Sequence, residues 1–117
     1  MRMMSFSLTT RQMRAREKDV TRRVGWKSLK PGTELLAVEK AMGLKKGEKV
    51  KPIGKIRVLD VRRERLDELV NPARGVYGQT EMVREGFPGL DPQSFMLQYL
   101  PDIDPNELIT RGEFEHL

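Results

Sequence analysis

Apolar positions in this chain fall mostly into short alternating runs, the period of a strand with one buried face, and only once into a clear helical spacing. Met4–Leu8 (MSFSL) alternates in this way and predicts an opening strand. Thr9 or Thr10 then offers an N-cap hydroxyl to a helix of about two turns through TRQMRAREK, a stretch without a helix breaker. Asp19–Val24 (DVTRRV) predicts a second strand. Gly25 and the Lys30-Pro31-Gly32 turn separate it from Thr33–Val38 (TELLAV), which has the composition of a strand buried on both sides. Residues 40–51 (KAMGLKKGEKVK) are too polar for core and predict a glycine-punctuated basic loop or ragged hairpin. Ile53–Arg62 (IGKIRVLDVR) is the strongest strand signal. Arg63–Leu69 predicts a helix that Asn71-Pro72 stops, and residues 71–80 (NPARGVYGQT) a surface loop. Asp91–Leu100 is the clearest helix: Asp91 stands at the N-cap, Pro92 at the first helical position, and Phe95, Met96, Tyr99 and Leu100 follow at helical spacing. Glu107–Leu117 predicts a terminal strand interrupted at Gly112, with its acids on an exposed face.

Five or six short strands with two or three short helices between them do not alternate one-for-one as crossover units do. The fold class expected is therefore mainly β with α insertions (α+β), a small β-barrel decorated by helices rather than a doubly wound parallel sheet. One domain spanning 1–117 fits the length, since domains cluster near ~100–150 residues.

Charge changes the picture more than composition does. Residues 1–65 hold nineteen Lys/Arg against seven Asp/Glu, and residues 66–117 hold three against ten, so a basic face or cleft is expected on the first half. The first thirty residues alone carry nine cations and two acids, with Lys18, Thr21, Arg22 and Arg23 grouped among them. An anionic partner is favoured, with nucleic acid such as RNA foremost and a merely solvated basic surface as the alternative. Arg22 and Arg23 are candidate contacts, Trp26 a candidate base-stacking ring, and Lys45 and Lys46 candidate phosphate contacts. Without cysteine, and with His116 as the one histidine, no metal site or cofactor is expected. No run approaches the ~20 apolar residues of a membrane span and no leader pattern opens the chain, so a cytoplasmic protein is expected.

Several pieces together resemble the ASCH domain family, relatives of the PUA RNA-binding domain. They are the SFSL strand; the helix running into Lys18-Asp19-Val20-Thr21-Arg22-Arg23; the Lys30-Pro31-Gly32 turn; Arg84-Glu85-Gly86-Phe87 before a helix containing Ser94-Phe95; and the closing Gly112-Glu113-Phe114-Glu115 strand. The resemblance implies a compact PUA-like barrel. Some stand-alone members look like amidohydrolases acting on N(4)-acetylcytidine through a lysine, a threonine three residues later and a distant glutamate. Carried over, that pattern places catalysis on Lys18, Thr21 and Glu85. A glycine is usual where this chain has Arg16, and a threonine where it has Asp19.

Such chemistry makes demands that the residues can be tested against. A lysine amine is ordinarily protonated at neutral pH, with a pKa of about 10.4, and serves as a base only where burial or neighbouring cations lower it. Residues three apart on a strand face opposite ways, so Lys18 must lie in the connection before the strand that carries Thr21. On a regular strand Arg23 shares the face of Thr21 and is placed to hold a phosphate or carbonyl oxygen. Taken singly, Lys18 and Glu85 read as solvated charges and Thr21 as a strand former. A noncatalytic RNA-binding module and a ribonuclease using the same three side chains are the alternative functions.

Overall fold

The computed structural model describes residues 1–117. Five strands, β1 (Met3–Ser5), β2 (Val20–Arg23), β3 (Glu34–Val38), β4 (Pro52–Arg65) and β5 (Leu108–His116), form one mixed sheet in the order β1-β3-β4-β5-β2. Only β1 and β3 run parallel. The predicted closed barrel is not what forms: β1 and β2 are the two edges of the sheet and do not pair with each other, so the architecture is an open α+β sheet with short helices. The fourteen-residue β4 is the spine. Its first part pairs with β3 and its second, from Ile56 to Arg65, with β5.

The helices depart from expectation in instructive ways. Helix α1 (Thr10–Arg14) is five residues long rather than two turns, and neither threonine caps it as predicted, because the Thr10 hydroxyl donates to Phe6 O. A Schellman pattern ends it early: Arg16 N donates to Met13 O and Glu17 N to Gln12 O, with Arg16 in the left-handed region at φ 58°. The predicted helix over Arg63–Leu69 is half strand, since β4 runs on through Arg65 and only Leu66–Val70 winds into a 3-10 turn. Part of the predicted 71–80 loop belongs instead to helix α2 (Tyr77–Glu85). Helix α3 (Pro92–Tyr99) forms as the sequence indicates, with Asp91 accepting from Ser94 N at the N-cap. Gly112 does not interrupt β5.

Two apolar clusters result. The inward positions of β1, β3, β4 and β5 place Met4, Leu35, Ala37, Ile56, Val58 and Phe114 together with Phe6 and Met13. Leu66, Leu69, Met82, Phe95 and Ile109 form a second cluster, against which Phe87 and Tyr99 pack. Trp26 is half-buried against the first cluster with the Arg2 guanidinium over its ring, so the predicted base-stacking tryptophan is used in packing.

Arg16 occupies a backbone conformation that costs an L-residue about 1–2 kcal/mol and costs glycine nothing. Arg16→Gly is expected to raise unfolding stability by about 1 kcal/mol in urea denaturation; an unchanged or lower stability contradicts the capping account.

Candidate functional site

Early termination of α1 is what delivers Lys18. The connection from Ala15 to Asp19 turns back along the end of α2, where Asp19 N donates to Arg84 O at 2.9 Å, and is fixed to β5 by Phe114 N donating to Asp19 O. His116 donates through Nε2 to Lys18 O at 2.7 Å. Lys18 thus lies in the connection before β2, as cooperation with Thr21 requires, and its side chain is only 3% exposed. Its Nζ donates to Glu85 Oε1 at 2.5 Å and to Glu85 O at 3.1 Å.

Glu85 arrives on the last turn of α2. Gly86 (φ 96°) terminates that helix in a second Schellman pattern, Gly86 N donating to Val83 O and Phe87 N to Met82 O. A Cβ at Gly86 would stand 2.7 Å from Gln12 Cγ and 3.4 Å from Lys18 Cβ, so glycine supplies both the backbone angle and the close approach of α1, α2 and the lysine. The second Glu85 oxygen, Oε2, accepts from Arg22 Nη1 at 2.8 Å.

Strand alternation sorts β2 into two roles. Thr21 and Arg23 share a face: Arg23 Nε donates to Thr21 Oγ1 at 3.0 Å, and the guanidinium lies 4.7 Å over the Phe6 ring. Arg23 forms no ion pair, and burial lowers its pKa to about 10, with Glu85 opposing. Arg22 points the other way, against α2. Its Nη2 donates to Glu64 Oε1 at 3.0 Å and to Glu81 Oε1, and Glu81 also accepts from Arg111 Nε and Nη2. Arg22 and Arg111 are register partners across β2 and β5, a like-charge pair that Glu81 bridges. The Tyr77 hydroxyl donates to Glu64, whose carboxylate also meets Arg62 and Arg74. Lys18, Arg22 and Arg111 are in this way matched by Glu64, Glu81 and Glu85, all buried.

Burial and neighbouring charge compete in setting the direction of each titration. Burial pushes Lys18 below the ordinary lysine value; Glu85 pulls the other way, and Arg23 and Arg22 add to the depression. Glu81 is disfavoured as an anion by burial, but hydrogen bonds and charge from Arg111 and Arg22 prevail and hold it at about 2. Asp19, next to Lys18 in sequence, pairs with Arg84 instead.

Lys18, Thr21, Arg22, Arg23 and Glu85 line one side of a cavity of about 230 Å³. Phe87, Phe95, Tyr99 and Leu100 line another part of it, and the segment from Ser5 to Thr9 completes the wall. The three predicted catalytic side chains are therefore brought together, with Arg23. Four of the predicted substrate contacts are not placed as expected. Arg22 is committed to carboxylates. Lys45 and Lys46 are exposed on the 40–51 loop, and Trp26 is packed elsewhere; none of the three lines the cavity. Glu64, Tyr77, Glu81 and Arg111 were missed, although Tyr77, Glu81 and Glu85 recur at the four-residue spacing that puts side chains on one helix face. No group of three or more His, Cys, Asp or Glu side chains is arranged to hold a metal ion, and no helix is long and apolar enough to cross a membrane.

With this geometry in hand, the fold is similar to that in the crystal structure of protein EF3133 from Enterococcus faecalis V583, described as family-model DUF984. The TM-score is 0.52, with 15% sequence identity, covering 99% of this chain and 79% of that one. At such identity the likeness is one of fold alone. No family model matches the chain, and no curated protein matches it.

Glu81 has a folded pKa of about 2 against an ordinary 4.5, so the stability it contributes is complete above pH 4.5 and is lost as pH falls toward 2. Urea denaturation across this range is expected to show that loss in the wild type and a shallower slope in Glu81→Gln, which is also less stable at pH 7. Identical slopes in the two proteins contradict the assignment.

Proposed function

We propose that the cavity is the active site of a small hydrolase that removes an acyl group from a modified cytidine, N(4)-acetylcytidine or a close relative, without a metal or cofactor. The sheet is taken, in the same proposal, as the PUA-like domain of the ASCH family, on the order and spacing of the motifs that resemble it. The observation that carries the proposal is that Lys18 and Thr21, three residues apart, and the distant Glu85 line one cavity with Arg23 beside the threonine.

The chemistry follows from donor counting. A neutral lysine amine has two N–H bonds and one lone pair. Glu85 Oε1 and Glu85 O accept the two N–H bonds, which leaves the lone pair for the Thr21 proton. Burial and the two arginines favour that neutral form. Thr21 Oγ1 accepts from Arg23, so its own proton is available for transfer. As the proton passes to Lys18, Oγ1 attacks the acyl carbon, and the Arg23 guanidinium offsets charge on the carbonyl oxygen. Breakage of the C–N bond releases the exocyclic amine with the proton returned by Lys18, leaving an ester on Thr21. Water, deprotonated by the same amine, then frees the carboxylic acid and restores the hydroxyl. The aromatic side chains of the wall supply an apolar surface for the base.

An unpaired Arg23 facing the cavity equally suits a phosphate, which gives a second reading: a noncatalytic module that binds single-stranded RNA. Binding of that kind weakens with salt at a log–log slope near −0.7 per neutralised phosphate.

Incubation with N(4)-acetylcytidine is expected to release cytidine, with kcat/KM rising with pH as Lys18 loses its proton. Lys18→Arg keeps a cation for Glu85 but no base, and Thr21→Val keeps the shape but no hydroxyl; each is expected to lower kcat/KM by about 100-fold or more. Full activity in folded Lys18→Arg rejects the mechanism. Absence of hydrolysis together with salt-sensitive RNA binding that Arg23→Gln abolishes selects the second reading.

A further inference from the structure

Arg22 stands directly after the proposed nucleophile and borders the same cavity, yet its guanidinium turns to the carboxylates of α2 and β4. Its side chain is 1% exposed, and both terminal nitrogens already donate to carboxylates: Nη1 to Glu85 at 2.8 Å, Nη2 to Glu64 and Glu81. Such a side chain is placed to act on the chemistry through Glu85. We propose that Arg22 is the positioning residue of this site: it grips Glu85 by Oε2, so that the carboxylate turns a single oxygen toward Lys18 and the amine keeps its lone pair directed at Thr21. The inference rests on the acyl-transfer reading above.

Three features support this role. An arginine fork can meet carboxylates at several nitrogens at once in a fixed plane, which an ammonium cannot, and here it meets three. Glu64 and Glu81 are themselves immobilised, the one by Tyr77, Arg62 and Arg74, the other by the two-point contact with Arg111, so the fork is held from behind. Arg22 Nε is buried without a hydrogen-bond partner, a cost that a surface contact for RNA would not incur. The charged groups around Lys18 are Glu85 from α2 and Arg22 and Arg23 from β2, with His116 of β5 on its carbonyl oxygen. Loss of Arg22 removes one of the two nearby cations and releases the whole Glu85 charge to Lys18. Both changes favour the protonated amine.

The test is the titration of Lys18, followed by NMR of 13C-labelled lysine, in parallel with the pH profile of acylcytidine hydrolysis. In Arg22→Gln the Lys18 titration and the rising limb of kcat/KM are expected to move together toward higher pH. The loss in kcat/KM at pH 7 is expected to be about tenfold, in kcat rather than KM. Arg22→Lys, which keeps a cation beside Glu85 but not the planar fork, is expected to bring the Lys18 titration most of the way back while kcat stays below the wild-type value. Should Arg22→Gln fail to fold, the charge-balanced double variant Arg22→Gln/Glu81→Gln reads the same shift. A Lys18 titration that stays in place in a folded variant overturns the proposal, as does a rise in KM alone, which would make Arg22 a ligand contact. A wild-type protein that hydrolyses no acylcytidine defeats the acyl-transfer reading instead, and the NMR titration still decides whether Arg22 governs Lys18.

Discussion

Glu85 sits where an anion is least welcome, in the last turn of a helix, next to the negative end of the macrodipole, and out of water. Its position is tenable because two basic side chains from one stretch of chain converge on it and donate hydrogen bonds to it. Lys18 takes one oxygen and the carbonyl behind it, Arg22 the other oxygen. Much of the surrounding structure serves that convergence. The Schellman turn at Arg16 stops α1 so that Lys18 can reach α2, Gly86 lets the helix end close against it, and Asp19 N occupies the Arg84 carbonyl that the helix leaves open.

The remaining buried charges extend the same logic across the sheet. Glu81 lies four residues before Glu85 and neutralises Arg22 and Arg111, which otherwise oppose each other on neighbouring strands. Three basic side chains and three carboxylates form a network that leaves Arg23, on the opposite face of β2, as the cation without a carboxylate partner at the cavity. Alternation along four residues of strand thus separates an arginine held by carboxylates from one left without an ion pair at the cavity, and places the Thr21 hydroxyl with the latter.

How much of this could be read from the sequence depended on whether the signal was local. Helix α3 was legible because Asp91, Pro92 and the aromatic spacing all act within one turn or two, and the strands because their alternation is local too. Helix α2 was hidden: Gly75 and Gly78 break its pattern, Val76 offers no capping side chain, and its first turn lies just beyond Asn71-Pro72. With the helix went Glu81 and Tyr77, whose significance is their spacing from Glu85. The grouping of Lys18, Thr21 and Glu85 was legible only through resemblance, since no local pattern links Lys18 to a carboxylate 67 residues away. Arg22 and Arg23 show the limit from another side. They are adjacent and alike in composition, and only the pairing of β2 decides which one is spent on carboxylates. The open edges of the sheet were likewise out of reach, because alternation gives strands but not whether the first and last of them meet.

The central claim is that Lys18 and Glu85 are a coupled buried pair on which the geometry of the cavity depends, and a double-mutant cycle on stability tests it most directly. Lys18→Met and Glu85→Gln are each predicted to destabilise the protein by about 3–5 kcal/mol, and the double variant by at least about 2 kcal/mol less than their sum, because neither leaves the other's charge stranded. Strictly additive losses would mean that the two side chains do not depend on each other, and would contradict the account.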